Sequence, residues 1–256
     1  MKRILVGIVL VAFMFVSLIG RQSVCASDDV ATPTIPSKPV AKIVPHIIDF
    51  GNGTILAWLD GNADDKDNAV KAADSYMNDY VNRHYPISAD GYKNSDGTYS
   101  LLGWSGIPYN DGKVTSYFLA TADKTYDSTL RKQKSSILNY SGHGVWTGHN
   151  PSYADYITLF DLSFIWSGSD LSTSWTWTPG PDGSTSMSGT VSISGNMGII
   201  SLHSTQNLVN AYYLNVYTSN ENFTGDFLNS LQIRTIMEYK FGNNFYFVTS
   251  NDSVQF

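Results

Sequence analysis

The chain has one cysteine, Cys25, and none after it. Residues 26–256 therefore hold no disulfide, no thiol nucleophile and no thiolate-bound metal. Basic charge is also scarce. Between residues 135 and 233 there is no Lys or Arg, so that stretch must solvate itself with Ser, Thr, Asn and a few Asp. Long apolar runs are missing too, except for one from Ile4 to Ile19.

That run follows Lys2-Arg3 and precedes Ser23-Val24-Cys25-Ala26, the order of a basic region, an apolar region and small residues for cleavage. Residues 1–26 are expected to be a signal peptide and the protein to be secreted. The run is short for a membrane anchor, which needs about 20 apolar residues. Without residues 1–26 the chain keeps 13 basic against 22 acidic residues, a net charge of −9. Nucleic acid and anionic membrane are not expected as partners, because phosphate binding needs clustered Lys and Arg. The one basic cluster, Lys124, Arg131, Lys132 and Lys134, reads as a solvated face. Residues 27–44, with Pro33, Pro36 and Pro39, read as an extended linker.

From residue 45 onward there is punctuation. Ile47 to Phe50 and Ile55 to Leu59 flank Asn52-Gly53, a hairpin signal. Asp64, Asp65 and Asp67 suit a helix N-terminus, and Val70, Ala73, Met77, Tyr80, Val81 and His84 follow at helical spacing up to Pro86. Strand, turn and helix together form half of a βαβ unit. Short strands are expected among the turns of 87–112, then a strand over 114–120 and a short helix over 128–134. Ile137 to Tyr140 reads as a buried strand that delivers His143 onto a turn, Ser141-Gly142-His143-Gly144. Residues 152–196 alternate like strands around Trp166, Trp175 and Trp177. Gly198 to Leu202 is another short buried run, ending at His203-Ser204. Leu208 to Val216 is spaced like a helix, residues 226–236 fit helix or strand, and Phe245 to Thr249 reads as a last strand paired near Gly242-Asn243.

Four segments are together similar to a known group. "TILAWLDGNADDKDNAVKAADSYM" resembles the first strand and helix of clostripain-like cysteine peptidases. "ILNYSGHG" resembles the strand and His-Gly of the wider caspase, gingipain and clostripain group. "MGIISLHSTQNLVNAYYL" lies where that group has its nucleophile strand, and "YTSNENFTGDFLNSL" is similar to the segment that follows. The resemblance implies an α/β fold: a caspase-like three-layer sandwich with a mostly parallel central sheet, spanning residues 45–256, with a β-rich insertion at 152–196. A mostly-β sandwich is the alternative. In a parallel sheet, ligands sit beyond the carboxyl ends of the strands, and the resemblance puts His143 there as proton carrier and Gly144 as an oxyanion contact. The cysteine of the group is absent, and His203 or Ser204 stands in its place. This implies either a pseudopeptidase that binds a peptide or protein ligand, or a serine-substituted hydrolase with Ser204 as nucleophile.

Asp60-Gly61-Asn62-Ala63-Asp64 opens like a calcium loop, but the sixth and twelfth positions are Asp65 and Lys71 where the loop wants Gly and Glu. Helix capping is the preferred reading there; no cofactor is expected, with calcium elsewhere on the acidic surface as the alternative. His143, His149, Asp155 and His203 fit no standard metal spacing. Trp166, Trp175 and Trp177 suggest a rival function from a different class: a non-catalytic adhesin or carbohydrate-binding module stacking a cell-surface glycan on tryptophan. Core packing is the plain alternative for these three.

Overall fold

The computed structural model describes residues 43–61, 63–85, 97–178, 186–204 and 206–256. The signal peptide, nearly all of the linker and the turn expected around 179–183 lie outside the described residues. Among the described residues there is one helix and thirteen strands, and every strand pairing is antiparallel.

The first expected hairpin forms, with β1 (His46–Asp49) and β2 (Ile55–Asp60) around Gly51 and Gly53, both at positive φ. The helix forms as well: α1 (Lys66–His84) is capped by Asp65, whose carboxylate accepts the Asn68 N–H at 3.1 Å. Asp65 acts here as a helix cap.

The βαβ unit does not form. After α1 come β3 (Gly97–Tyr109), β4 (Gly112–Asp127) and β5 (Lys132–Trp146), a continuous antiparallel meander. The short helix expected over 128–134 is a turn, with Arg131 at positive φ, and then the start of β5. The chain continues through β6 (Tyr156–Ser169), β7 (Met187–Ser194), β8 (Met197–Ser204), β9 (Leu208–Val209), β10 (Ala211–Thr218), β11 (Asn222–Gly225), β12 (Phe227–Phe241) and β13 (Asn244–Gln255). One sheet, sheet A, runs β1-β2-β10-β5-β4-β3, with β11 also on β5. The other, sheet B, runs β13-β12-β6-β8-β7, with β9 on β6.

The expected α/β caspase-like sandwich with a parallel sheet is therefore corrected to two antiparallel sheets. Its key neighbours separate: residues 137–140 lie in β5 of sheet A, and 198–202 lie in β8 of sheet B. The β-rich stretch 152–196 is no insertion, because β6 is an inner strand of sheet B. The helix expected from Leu208 is instead two successive strands, β9 in sheet B and β10 in sheet A. All eight residues of β10 are buried, so it shows no alternation and imitates helical spacing.

The inner faces of the two sheets share one apolar core that includes Phe118, Tyr140, Phe164, Trp166, Ile233 and Tyr239. Polar bonds cross it. Tyr140 Oη lies 2.7 Å from Thr235 Oγ1, Trp166 Nε1 donates to Ser135 Oγ at 3.0 Å, and the Tyr239 hydroxyl donates to the Thr115 carbonyl. Each satisfies a polar group that would otherwise be costly to bury. Trp166 is fully buried, and Trp175 and Trp177 pack partly buried against the core. The three tryptophans do not form an exposed platform.

The outer face of sheet A is covered in part by α1. Ala69, Ala73, Met77 and Val81 form the helix stripe, and Met77 and Val81 pack with Ile55, Ala57 and Tyr217. Burying Met77 and Val81 contributes about 2 kcal/mol each.

Candidate functional site

β5 does not stop at Ser141. It runs straight through Ser141-Gly142-His143-Gly144 to Trp146, flanked by β4 and β10. Strand alternation then sorts the motif by face. Gly142 and Gly144 point into the core. A Cβ at 142 would stand 2.0 Å from Tyr140 Oη, and one at 144 would stand 2.9 Å from Tyr239 Oη. Both glycines make room for tyrosine rings. Ser141 and His143 point outward, toward α1.

His143 is 5% exposed and sits in a row of outer-face side chains fixed by register: Trp104 on β3, Tyr117 on β4, His143 on β5 and Asn215 on β10. The Tyr117 ring stacks on the His143 ring with centroids 4.4 Å apart and planes at 6°. Ser141 Oγ lies 3.0 Å from His143 Nε2, and Asn215 Nδ2 donates to Ser141 Oγ at 3.0 Å. On the other side of the ring, Nδ1 lies 3.3 Å from Asp74 Oδ1 on α1. Asp74 also accepts from the Tyr213 hydroxyl. The arrangement assigns the Nδ1 proton toward Asp74 and leaves Nε2 to accept from Ser141. Burial, and then the Asp74 charge, push the Tyr117 and Tyr213 hydroxyls above their ordinary pKa, so both stay protonated donors.

Serine, histidine and aspartate thus lie in hydrogen-bonded sequence. A hydrolytic site also needs donors for an oxyanion and space for substrate at the nucleophile. Residues 140–145 of β5 are paired with strands on both sides, which commits their backbone N–H groups to the sheet. The cluster instead fixes two groups that face solvent, Asp74 and Tyr117.

Those two lie in a cleft of about 310 Å³ between helix and sheet. Asp67, Val70, Lys71 and Asp74 of α1 form one wall. Trp104, Thr115, Tyr117, Val145 and Thr147 form the other wall and the floor. Trp104 is 62% exposed, with Lys113 Nζ 5.4 Å above its ring. Gly106 leaves the space through which the Lys113 side chain reaches it: a Cβ there would stand 2.8 Å from Lys113 Cδ.

The structure does not bring the other sequence-derived residues to this place. Ser204 ends β8 on sheet B, and its Oγ is held by backbone groups: the Ser186 and Gln206 carbonyls at 3.0 and 2.9 Å and the Gln206 N–H at 3.1 Å. His203 lines a separate groove of about 530 Å³ on sheet B, together with Phe160, Asp161, Arg234 and Glu238. Gly144 is a core residue. His149 meets Asp111 through its backbone N–H at 3.2 Å, and Asp155 accepts the Gly242 N–H at 2.6 Å. Among the described residues no group of three or more His, Cys, Asp or Glu is placed to hold a metal ion. No helix among them is long and apolar enough to cross a membrane.

Sequence reasoning singled out His143 and missed Asp74, Trp104, Tyr117 and Asn215. One available signal was Gly103-Trp104-Ser105-Gly106, a tryptophan among residues too small to cover it. Compared with family models, with curated proteins and with solved structures, the chain matches none.

Proposed function

We propose that the protein is an exported, non-catalytic glycan-binding module whose sugar packs on Trp104 in the cleft beside α1. The observation that carries this reading is an indole left 62% exposed in a cleft that also presents carboxylates and hydroxyls. A pyranose has an apolar C–H face, which suits an indole, and vicinal hydroxyls, which suit carboxylates and threonine. Asp67, Asp74, Thr115 and Thr147 supply those polar groups. The buried His143 cluster holds Asp74 and Tyr117 in fixed orientation, so little is lost in ordering them on binding. Export follows the signal-like N-terminus and the uncharged, hydroxyl-rich stretch after residue 135. The test is calorimetric titration with a panel of soluble polysaccharides. Trp104→Ala is expected to weaken binding of the recognised glycan at least tenfold. Unchanged affinity in that variant removes the cleft from the reading.

A second reading rests on the Ser141–His143–Asp74 sequence of hydrogen bonds: a hydrolase with Ser141 as nucleophile. It predicts covalent labelling of Ser141 by a fluorophosphonate, abolished in His143→Ala. An unlabelled, folded parent protein rejects it.

A further inference from the structure

We infer that β7 is a docking edge for a second copy of this chain. The sheet edges differ sharply, and β9 and β11, which branch from the main strand order, are only two and four residues long. β1 is only four residues long. β3 and β13, the long edges of the two sheets, are turned toward each other: the Leu102 N–H of β3 donates to Asp252 of β13 at 2.9 Å, and the Tyr99 and Phe256 rings meet at 5.1 Å. Each thereby shields the other. Among the described residues β7 has neither device. It is eight residues long, and Thr190 to Ser194 are all exposed.

Natural sheets guard such an edge with lysine, proline, a bulge or a covering segment. β7 pairs with β8 in unbroken register. From Gly183 to Asn220 the sequence holds no Asp, Glu, Lys, Arg or Pro. In an acidic chain, this is a strand that another copy can approach without charge repulsion. Val191 and Ile193 pair with Ile200 and Gly198 and share their core-side face, yet remain 40% and 48% exposed. The core does not extend beneath them.

The strand is self-complementary. Antiparallel pairing of β7 with its copy about a twofold axis through Ser192 sets Val191 opposite the partner's Ile193 and the reverse. The two copies then share one continuous sheet, join their backbone groups and cover both aliphatic side chains.

The test is molar mass by light scattering over a concentration series of the purified protein. The parent is expected to approach twice the chain mass. Thr190→Lys with Ser192→Lys places ammonium groups across the twofold axis and is expected to return the monomer mass, as is Ile193→Lys alone. Thr249→Lys with Asn251→Lys makes the same charge change on β13 and is expected to leave the dimer intact. Circular dichroism confirms that each variant is folded. A parent that stays monomeric at every concentration overturns the inference, and so does a dimer that survives the β7 substitutions.

Discussion

Asp74 Oδ1 on α1 and His143 Nδ1 on β5 lie 3.3 Å apart, and the Tyr213 hydroxyl reaches the same carboxylate oxygen. The helix is thus held on the sheet by a polar contact as well as by its apolar stripe. Asp74→Ala strips two buried donors of their acceptor, which costs about 1–3 kcal/mol. For a chain of this size, that lowers the thermal midpoint by roughly 2–4 °C per kcal/mol. Asp74→Asn keeps an acceptor oxygen and is expected to recover part of the loss. Thermal denaturation of the two variants reads the difference, and an Asp74→Ala protein as stable as the parent means the apolar stripe alone holds the helix.

The glycines around His143 give a second prediction, one that separates packing from chemistry. A methyl at 142 would overlap the Tyr140 hydroxyl, and Tyr140 is fully buried and bonded to Thr235. A methyl at 144 meets Tyr239 and Met237 at 2.9 and 3.3 Å, contacts a small shift can relieve. Gly142→Ala is expected to destabilise by about 1–3 kcal/mol through overpacking, and Gly144→Ala by less. Denaturant unfolding ranks them. The reverse order would mean that the Tyr140 ring moves aside without loss.

Local features of the fold were legible in the sequence. Asn52-Gly53 and Gly242-Asn243 each open a tight hairpin, and Asp65 with the spacing from Val70 to Val81 marks α1. The pairing of distant strands was not legible. β10 is buried on both faces and carries no alternation. The motif at 141–144 looks like a turn because glycine is common in turns, whereas here two glycines face large rings within a strand. Whether strands run parallel or antiparallel depends on contacts such as β5 with β10, whose paired residues His143 and Asn215 lie far apart in the chain. For the same reason His143 stood out alone. Apart from Ser141, two residues away on the same strand, its partners come from α1, β4 and β10, and no local pattern ties these to it.

Lys66 leads to a pH prediction. Its side chain is buried, its Nζ donates to the Gly148 carbonyl, and the Trp146 and Tyr212 rings lie 5.6 and 5.4 Å away. Burial pushes its pKa down from 10.5 to about 8, with Asp111 partly opposing the shift. The folded state therefore binds this proton more weakly than the unfolded one. The resulting penalty is full below pH 8 and fades toward 10.5, so Lys66 makes stability rise across that window. Lys66→Met is expected to flatten the rise. Chemical denaturation from pH 7.5 to 10.5 measures it, and an equal slope in the variant assigns the rise to other groups.

Glu221 acts in the opposite direction at lower pH. It lies in the turn between β10 and β11, 1% exposed, and accepts from the Thr218 hydroxyl, which also lies 3.0 Å from Thr54 Oγ1. Its second oxygen, Oε2, has no hydrogen-bond partner among the described residues. Burial raises its pKa from 4.5 to about 7, against the opposing bond from Thr218. A raised pKa means that the folded state holds the proton more tightly than the unfolded state. The stabilisation is complete below pH 4.5 and is lost as pH rises through about 7. The shift corresponds to roughly 3 kcal/mol across the window. Glu221→Gln keeps an acceptor for Thr218 and cannot ionise, so its stability is expected to stay flat where that of the parent falls. Denaturation midpoints at pH 5 and pH 8 decide it. If the variant loses as much stability as the parent between those two values, the buried carboxyl is not the group responsible.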